Sequence, residues 1–176
     1  VGPVYPFNLK RVLNMPYDKT SHYGGKIHYP EYTKVPPQDR IMHTAMSVRM
    51  PKEIEWLKEA SEYMVKGIEL LKTIENKNES LERLINLAEY INCCLMSVRN
   101  VKKWHIAKSK AFVETGREKA LEYISEMKAI LKEEREVVKA TIPLTDADSR
   151  LGWEPSMEYI GHSANLYWKL QQLKYV

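Results

Sequence analysis

The apolar residues of this chain change their spacing at Pro51. Beyond it, Ile54, Leu57, Ser61, Met64, Ile68 and Leu71 recur at alternating intervals of three and four. That is the pattern of one buried face on an α-helix. Pro51 suits the first helical position, where a missing N–H costs nothing. The polar run Asn76-Lys77-Asn78-Glu79 interrupts the pattern, and Asn78 or Ser80 is placed to cap a second helix. Leu84, Leu87, Ala88, Ile91, Cys94, Leu95, Val98, Val101 and Ile106 then carry a wide apolar face to about Phe112. This predicts a helix of roughly 30–35 residues, about 50 Å long. Thr115-Gly116 marks the next break, and Ala120, Ile124, Met127, Leu131 and Val138 give the stripe of a third helix ending near Ala140. Residues 141–161 read as a long loop. Ser163 is the expected cap of a last helix bearing Leu166, Trp168, Leu170 and Leu173.

Long helices with short joints pack most simply side by side with alternating direction. The expected fold is therefore all-α: an antiparallel three-helix bundle plus a short C-terminal helix, with an extended irregular N-terminal arm. The division falls at residue 50, with the arm over 1–50 and the bundle domain over 51–176. The arm differs in composition. Residues 1–51 hold seven of the nine prolines and five of the eleven tyrosines. Pro3, Pro6, Pro16, Pro30, Pro36 and Pro37 preclude a long helix there. Phe7, Val12, Leu13 and the tyrosines supply too much apolar area for a segment disordered by composition, and predict an arm lying against some surface.

Charge refines the picture only slightly. Residues 1–51 carry seven Lys/Arg against three Asp/Glu, and the remainder carries twenty of each, so the net +4 belongs to the arm. A nucleic-acid binder usually shows a denser basic stripe. Lys102-Lys103-Trp104-His105 and Lys108-Ser109-Lys110 come nearest, and the balancing acids around them predict a solvated face instead of a nucleic-acid surface. No apolar run is long enough to span a membrane. Cys93 and Cys94 are neighbours within a helical pattern, about 100° apart around the axis, so they read as two reduced, partly buried small hydrophobes. Reduced thiols lean toward a cytoplasmic setting. The five histidines show no ligand spacing, and neither a metal nor a cofactor is expected.

The chemistry concentrates in one stretch, Asp146-Ala147-Asp148-Ser149-Arg150-Leu151-Gly152-Trp153-Glu154-Pro155-Ser156-Met157-Glu158-Tyr159. Asp148, Arg150, Trp153, Glu154, Glu158 and Tyr159 are the candidate ligand-binding residues. Aromatic faces beside polar tips suit a sugar, and Tyr167 and Trp168 stand close by in sequence. The competing reading is structural: Arg150 pairs with a carboxylate of its own loop, Asp146, Asp148 or Glu158, while Trp153 and Trp168 plug the end of the bundle. Asp146-x-Asp148-x-Arg150-x-Gly152 has the outline of a calcium loop, but a cation stands where an oxygen ligand is needed. Within the helices, Arg99 and Asn100 on the second and Glu134 or Arg135 on the third predict an interhelical polar contact.

Two stretches carry a resemblance. The opening Val1-Gly2-Pro3-Val4-Tyr5-Pro6-Phe7 resembles a segment that follows the catalytic barrel in large bacterial α-glucuronidase-like glycoside hydrolase proteins. The Asp146–Tyr159 stretch, with Trp168-Lys169-Leu170-Gln171-Gln172-Leu173 after it, resembles the end of their helical C-terminal region. Many such relatives are hypothetical proteins of gut bacteria. The resemblance implies a helical C-terminal accessory domain of a carbohydrate-active protein, with the hydrolytic groups in an upstream region and no catalytic residue in this chain. The missing initiator methionine fits a piece of a longer protein. The implied partners are the upstream catalytic domain, an oligosaccharide or a second copy of the chain. The alternatives are a carbohydrate-binding module built on the loop and a protein–protein interaction bundle.

Overall fold

The computed structural model describes the backbone of residues 46–154 and 159–175, and side chains from Arg49 onward except those of 153–160. The arm over residues 1–45 lies outside the described residues. Four helices follow: α1 (Met46–Lys72), α2 (Glu79–Val113), α3 (Arg117–Ala147) and α4 (Ser163–Gln172). Between α3 and α4 sit two short strands, β1 (Trp153–Glu154) and β2 (Tyr159–Ile160), paired antiparallel with Trp153 opposite Ile160 and Glu154 opposite Tyr159.

The long helices alternate in direction, as their cross-links show. From α1 to α2, Glu53 meets Lys102 at 2.7 Å and Ser61 meets Asn92 at 2.7 Å, while Lys72 meets Glu89. From α2 to α3, Asn86 reaches the Leu144 carbonyl at 3.1 Å, and Lys103 reaches Glu133 at 2.7 Å. In each set one residue number rises as the other falls, so both pairs are antiparallel. Helix α2 lies between α1 and α3, and α4 docks against α3. The architecture is the expected all-α bundle plus a short C-terminal helix.

Several local rules explain the ends. Asn78 caps α2, its side-chain oxygen accepting from the Leu81 N–H at 2.9 Å. Asn76 takes a left-handed backbone (φ 54) to turn the chain between α1 and α2. Gly116 precedes α3. The start of α4 departs from expectation by one residue: His162 is the cap position, it makes no side-chain cap bond, and Ser163 is already helical.

Two prolines also fall inside helices where ends were expected. α1 begins at Met46, five residues before Pro51. Pro51 removes the bond to the Ser47 carbonyl, but the turn before it is held by buried Met50 and by Arg49 paired with Glu53 at 2.9 Å. α3 continues past Ala140, through Pro143, to Ala147. Ile142, Thr141 and Thr145 are buried there, the Thr141 hydroxyl donates to the Val137 carbonyl at 2.8 Å, and Thr145 donates to Ile142 at 2.9 Å. Burial of this turn outweighs one missing backbone bond.

The core comprises Trp104 and Ala107 from α2, Ile130, Leu131, Val138 and Ile142 from α3, Leu166 from α4 and Leu173, the C-cap of α4. The stripe of α1 is as its spacing predicts, with Ser61 and Ile68 buried and Ile54, Leu57, Met64 and Leu71 partly so. The expected face of α2 needs correction. Leu84, Leu87 and Ile91 face outward, and the buried line runs instead through Ile85, Ser97, Asn100, Trp104, Ala107 and Lys108. Ile124 of α3 is likewise exposed. On α4, Trp168 is 59% exposed and Lys169 is 0% exposed, so Lys169, not Trp168, shares the inner face with Leu166 and Leu173.

Candidate functional site

The polar loop begins where α3 ends. Asp148 follows the helix as its C-cap, and its carboxylate grips Arg150: Nε donates to Oδ1 at 2.9 Å and Nη2 to Oδ2 at 2.6 Å, with the Arg150 backbone N–H on Oδ1 at 3.1 Å. This is the bidentate fork geometry that arginine and carboxylate favour. The Arg150 side chain and backbone N–H hold the Asp148 carboxyl down at about 2, below its ordinary 3.8. The expected pairing of Arg150 with its own loop thus falls on Asp148. Asp146 lies in the last turn of α3, exposed. Among the described residues, no group of three or more His, Cys, Asp or Glu is arranged to hold a metal ion.

Beyond Arg150, Leu151 and Gly152 are buried. Gly152 has φ +77, and a Cβ there would stand 2.6 Å from the Gly161 carbonyl oxygen. Only glycine permits this approach, in which the Gly161 N–H donates to the Gly152 carbonyl at 2.6 Å. The glycine pair closes the base of the hairpin and brings the chain back for α4. The backbones of Trp153, Glu154 and Tyr159 form the hairpin ladder. Their side chains, and Glu158 altogether, lie outside the described residues, as does any aromatic face they form. Of the other two aromatics, Tyr167 and Trp168 both point outward from α4. Trp168 therefore does not plug the bundle.

An open groove of about 450 Å³ lies between this turn and the start of α2. Ser80, Arg83, Leu84 and Leu87 form one wall; Asp148, Arg150 and Leu151 form the other. Leu84, Leu87 and Leu151 give it apolar lining, and Arg83 and Arg150 bring two guanidinium groups to it. Arg83 is partly engaged, bonding Glu79 at 2.6 Å one turn away. The groove unites two of the six candidate residues, Asp148 and Arg150, with α2 residues that periodicity assigned to the interior.

A second polar centre is buried. Glu134, Lys169, Ser97 and Asn100 are each 0% exposed. One Glu134 oxygen accepts from the Ser97 hydroxyl at 2.7 Å and from the Lys169 ammonium; the other accepts from the Asn100 amide at 3.0 Å. Burial pushes the Lys169 ammonium below its ordinary value, with the Glu134 charge opposing. The expected α2–α3 polar contact exists and has two parts. Asn100 reaches Glu134, while Arg99 pairs with Glu133 at 2.9 Å. Lys169 and Ser97 complete the cluster, beyond what the sequence pattern predicts. The available signal was position, since Lys169 falls three residues after Leu166 and four before Leu173.

The Lys/Trp/His run is not a solvated face. Lys102 and Lys103 bridge to Glu53 and Glu133, Trp104 is in the core, and Lys108 is buried with no hydrogen-bond partner for its Nζ among the described residues. Burial pushes Lys108 below its ordinary value, and His105 also, helped by the charges of Lys108 and Lys102. Both cysteines are free and half-buried, and burial raises the Cys94 thiol to about 11 and the Cys93 thiol in the same direction. These are poor nucleophiles. Among the described residues no helix is long and apolar enough to cross a membrane. No family model matches this chain, and neither a curated protein nor a solved structure is significantly similar to it.

Proposed function

We propose that this chain is a non-catalytic helical accessory domain that packs against a larger neighbour along the start of α2. The observation that carries this is the outward line of Leu84, Leu87 and Ile91, of which the first two line the groove. Such a line next to a polar rim is the anatomy of a protein contact. The nearby polar groups are largely committed within the chain, Asp148 to Arg150 and Arg83 to Glu79. Following the resemblance of the two terminal stretches, the neighbour is the catalytic region of a glycoside-hydrolase-like protein. The test is to express the chain alone and joined to whatever its reading frame encodes upstream, and to follow amide exchange over residues 80–91. Protection in the joined form, lost in Leu84→Glu/Leu87→Glu, supports the reading. Equal exchange in both forms, or a reading frame with no upstream domain, defeats it.

The groove favours a second reading. Two guanidinium groups beside the leucines of one groove suit an acidic sugar, whose carboxylate would meet Arg83 or Arg150. Titration with glucuronic-acid-bearing xylo-oligosaccharides, followed by calorimetry, separates the two. Saturable submillimolar binding that Arg150→Ala abolishes would promote the sugar site over the packing surface.

A further inference from the structure

Helix α1 carries a second stripe. Trp56, Ala60, Tyr63, Gly67 and Leu70 recur at intervals of four, three, four and three. This is a heptad seam, about 110° around the helix from the face that packs on α2. Every member is exposed, with Trp56 at 57%, Tyr63 at 65% and Leu70 at 69%. Large and small residues alternate along it. Gly67 sits mid-helix, where glycine weakens a helix, and a Cβ there would meet nothing within 4 Å. Nothing described in the chain requires this glycine, whereas close approach by a bulky side chain would.

We propose that a second copy of this chain docks on the α1 seam, the two α1 helices running antiparallel about a two-fold axis level with Ser61 and Glu62. In that register Trp56 of each copy fills the space over Gly67 of the other, and Tyr63 lies against Ala60. The charges beside the seam agree with the same register. Glu59 and Lys66 occupy the flanking positions that meet across an antiparallel pair, so Glu59 of each copy faces Lys66 of the other, twice by symmetry. Within the chain, neither has an ion pair among the described residues, and Lys66 leans over the Tyr63 ring at 5.4 Å from its centre. Steric and electrostatic patterns thus select one alignment independently, and both favour a copy of this helix over an unrelated partner. The proposal concerns α1 alone and does not depend on the accessory-domain reading, whose surface is on α2.

Sedimentation equilibrium of the full 176-residue chain tests it, with three variants. The wild type should be dimeric at micromolar concentration. Gly67→Gln should be monomeric while its helical signal and denaturation midpoint hold or rise, because the new side chain meets open space within the monomer. Glu59→Lys should weaken the dimer about tenfold, two attractions becoming repulsions. Glu59→Lys/Lys66→Glu should restore it. A wild type that stays monomeric at 100-fold higher concentration overturns the proposal. So does a dimer indifferent to Gly67→Gln, or a double variant no tighter than the single. A monomer in which residues 1–45 shield α1 from amide exchange would identify the arm as the occupant, and would equally overturn it.

Discussion

Replacing Glu134 by Gln should expose the cost of keeping a lysine inside the bundle. The substitution keeps the size of the side chain, and its amide oxygen still accepts from Ser97 or Asn100. What it removes is the charge facing the Lys169 ammonium, at a site where both side chains are 0% exposed. Burial already pushes Lys169 below 10.5, and Glu134 is the largest opposing influence. With that opposition gone, the cheapest escape for the folded protein is to release the lysine proton. Releasing it at pH 7 from an unfolded value of 10.5 spans 3.5 units, which at about 1.36 kcal/mol per unit sets a ceiling of about 5 kcal/mol. At pH 9 the span is 1.5 units from the same value, and the ceiling falls to about 2 kcal/mol. The sign follows from proton linkage. A lysine whose folded value is depressed binds its proton more weakly folded than unfolded, so stability rises with pH from the folded value up to 10.5. Urea denaturation followed by helical circular dichroism, at pH 7 and pH 9 against wild type, measures the loss. Expected is a penalty of about 3–5 kcal/mol at pH 7, as for other broken buried pairs, shrinking by more than half at pH 9. Adding Lys169→Met to Glu134→Gln should recover most of it, because no charge then remains buried at this site. A penalty equal at both pH values, or a double variant no better than the single, would refute the reasoning.

Other expectations follow from single positions. Gly67→Ala, with open space around the new methyl, should stabilise the monomer by about 0.8–1 kcal/mol in the same denaturation assay, taken at concentrations low enough to exclude association. Gly152→Ala should lose at least about 1–2 kcal/mol, because alanine must adopt a left-handed backbone against the Gly161 carbonyl. The Asp148 carboxyl should titrate near 2 by NMR and return toward 3.8 in Arg150→Ala. Its contribution to stability is complete above 3.8 and is lost as pH falls through about 2. Cys93 and Cys94 should alkylate much more slowly at pH 8 than a free thiol, since burial raises both, and a rapid reaction would show that α2 opens locally.

How far the sequence could be read depended on which force set each position. The α1 stripe was legible because only one face of that helix packs within the chain. The breaks at 76–78 and 114–116 were legible because Asn78 and Gly116 have local chemistry. The Asp148–Arg150 pair was legible because its partners are two residues apart. Helix α2 was harder: it has neighbours on two sides and apolar residues nearly all round, so periodicity alone could not tell Leu84 from Ile85. The expected end of α3 near Ala140 falls short because the apolar stripe stops at Val138, while tertiary burial of Thr141, Ile142 and Thr145 carries the helix past Pro143. Lys169 was passed over for Trp168 because hydropathy ranks tryptophan inward, while a partner 35 residues away decided otherwise. Of the candidate site, Asp148 and Arg150 were found, but the groove they share with Arg83, Leu84 and Leu87 joins residues more than 60 positions apart, which no local pattern announces.

The brevity of α4 has a consequence for how the bundle assembles. At ten residues it is shorter than the twelve or so that a helix in water needs to persist by itself. It is helical only while docked, so winding this segment, seating Leu166 and Leu173 and closing the Gly152–Gly161 backbone contact are one event. This helix therefore has no folding step of its own. Its amides should exchange together, at one opening rate set by the departure of the whole segment from α3, and not fray residue by residue from Gln172 inward.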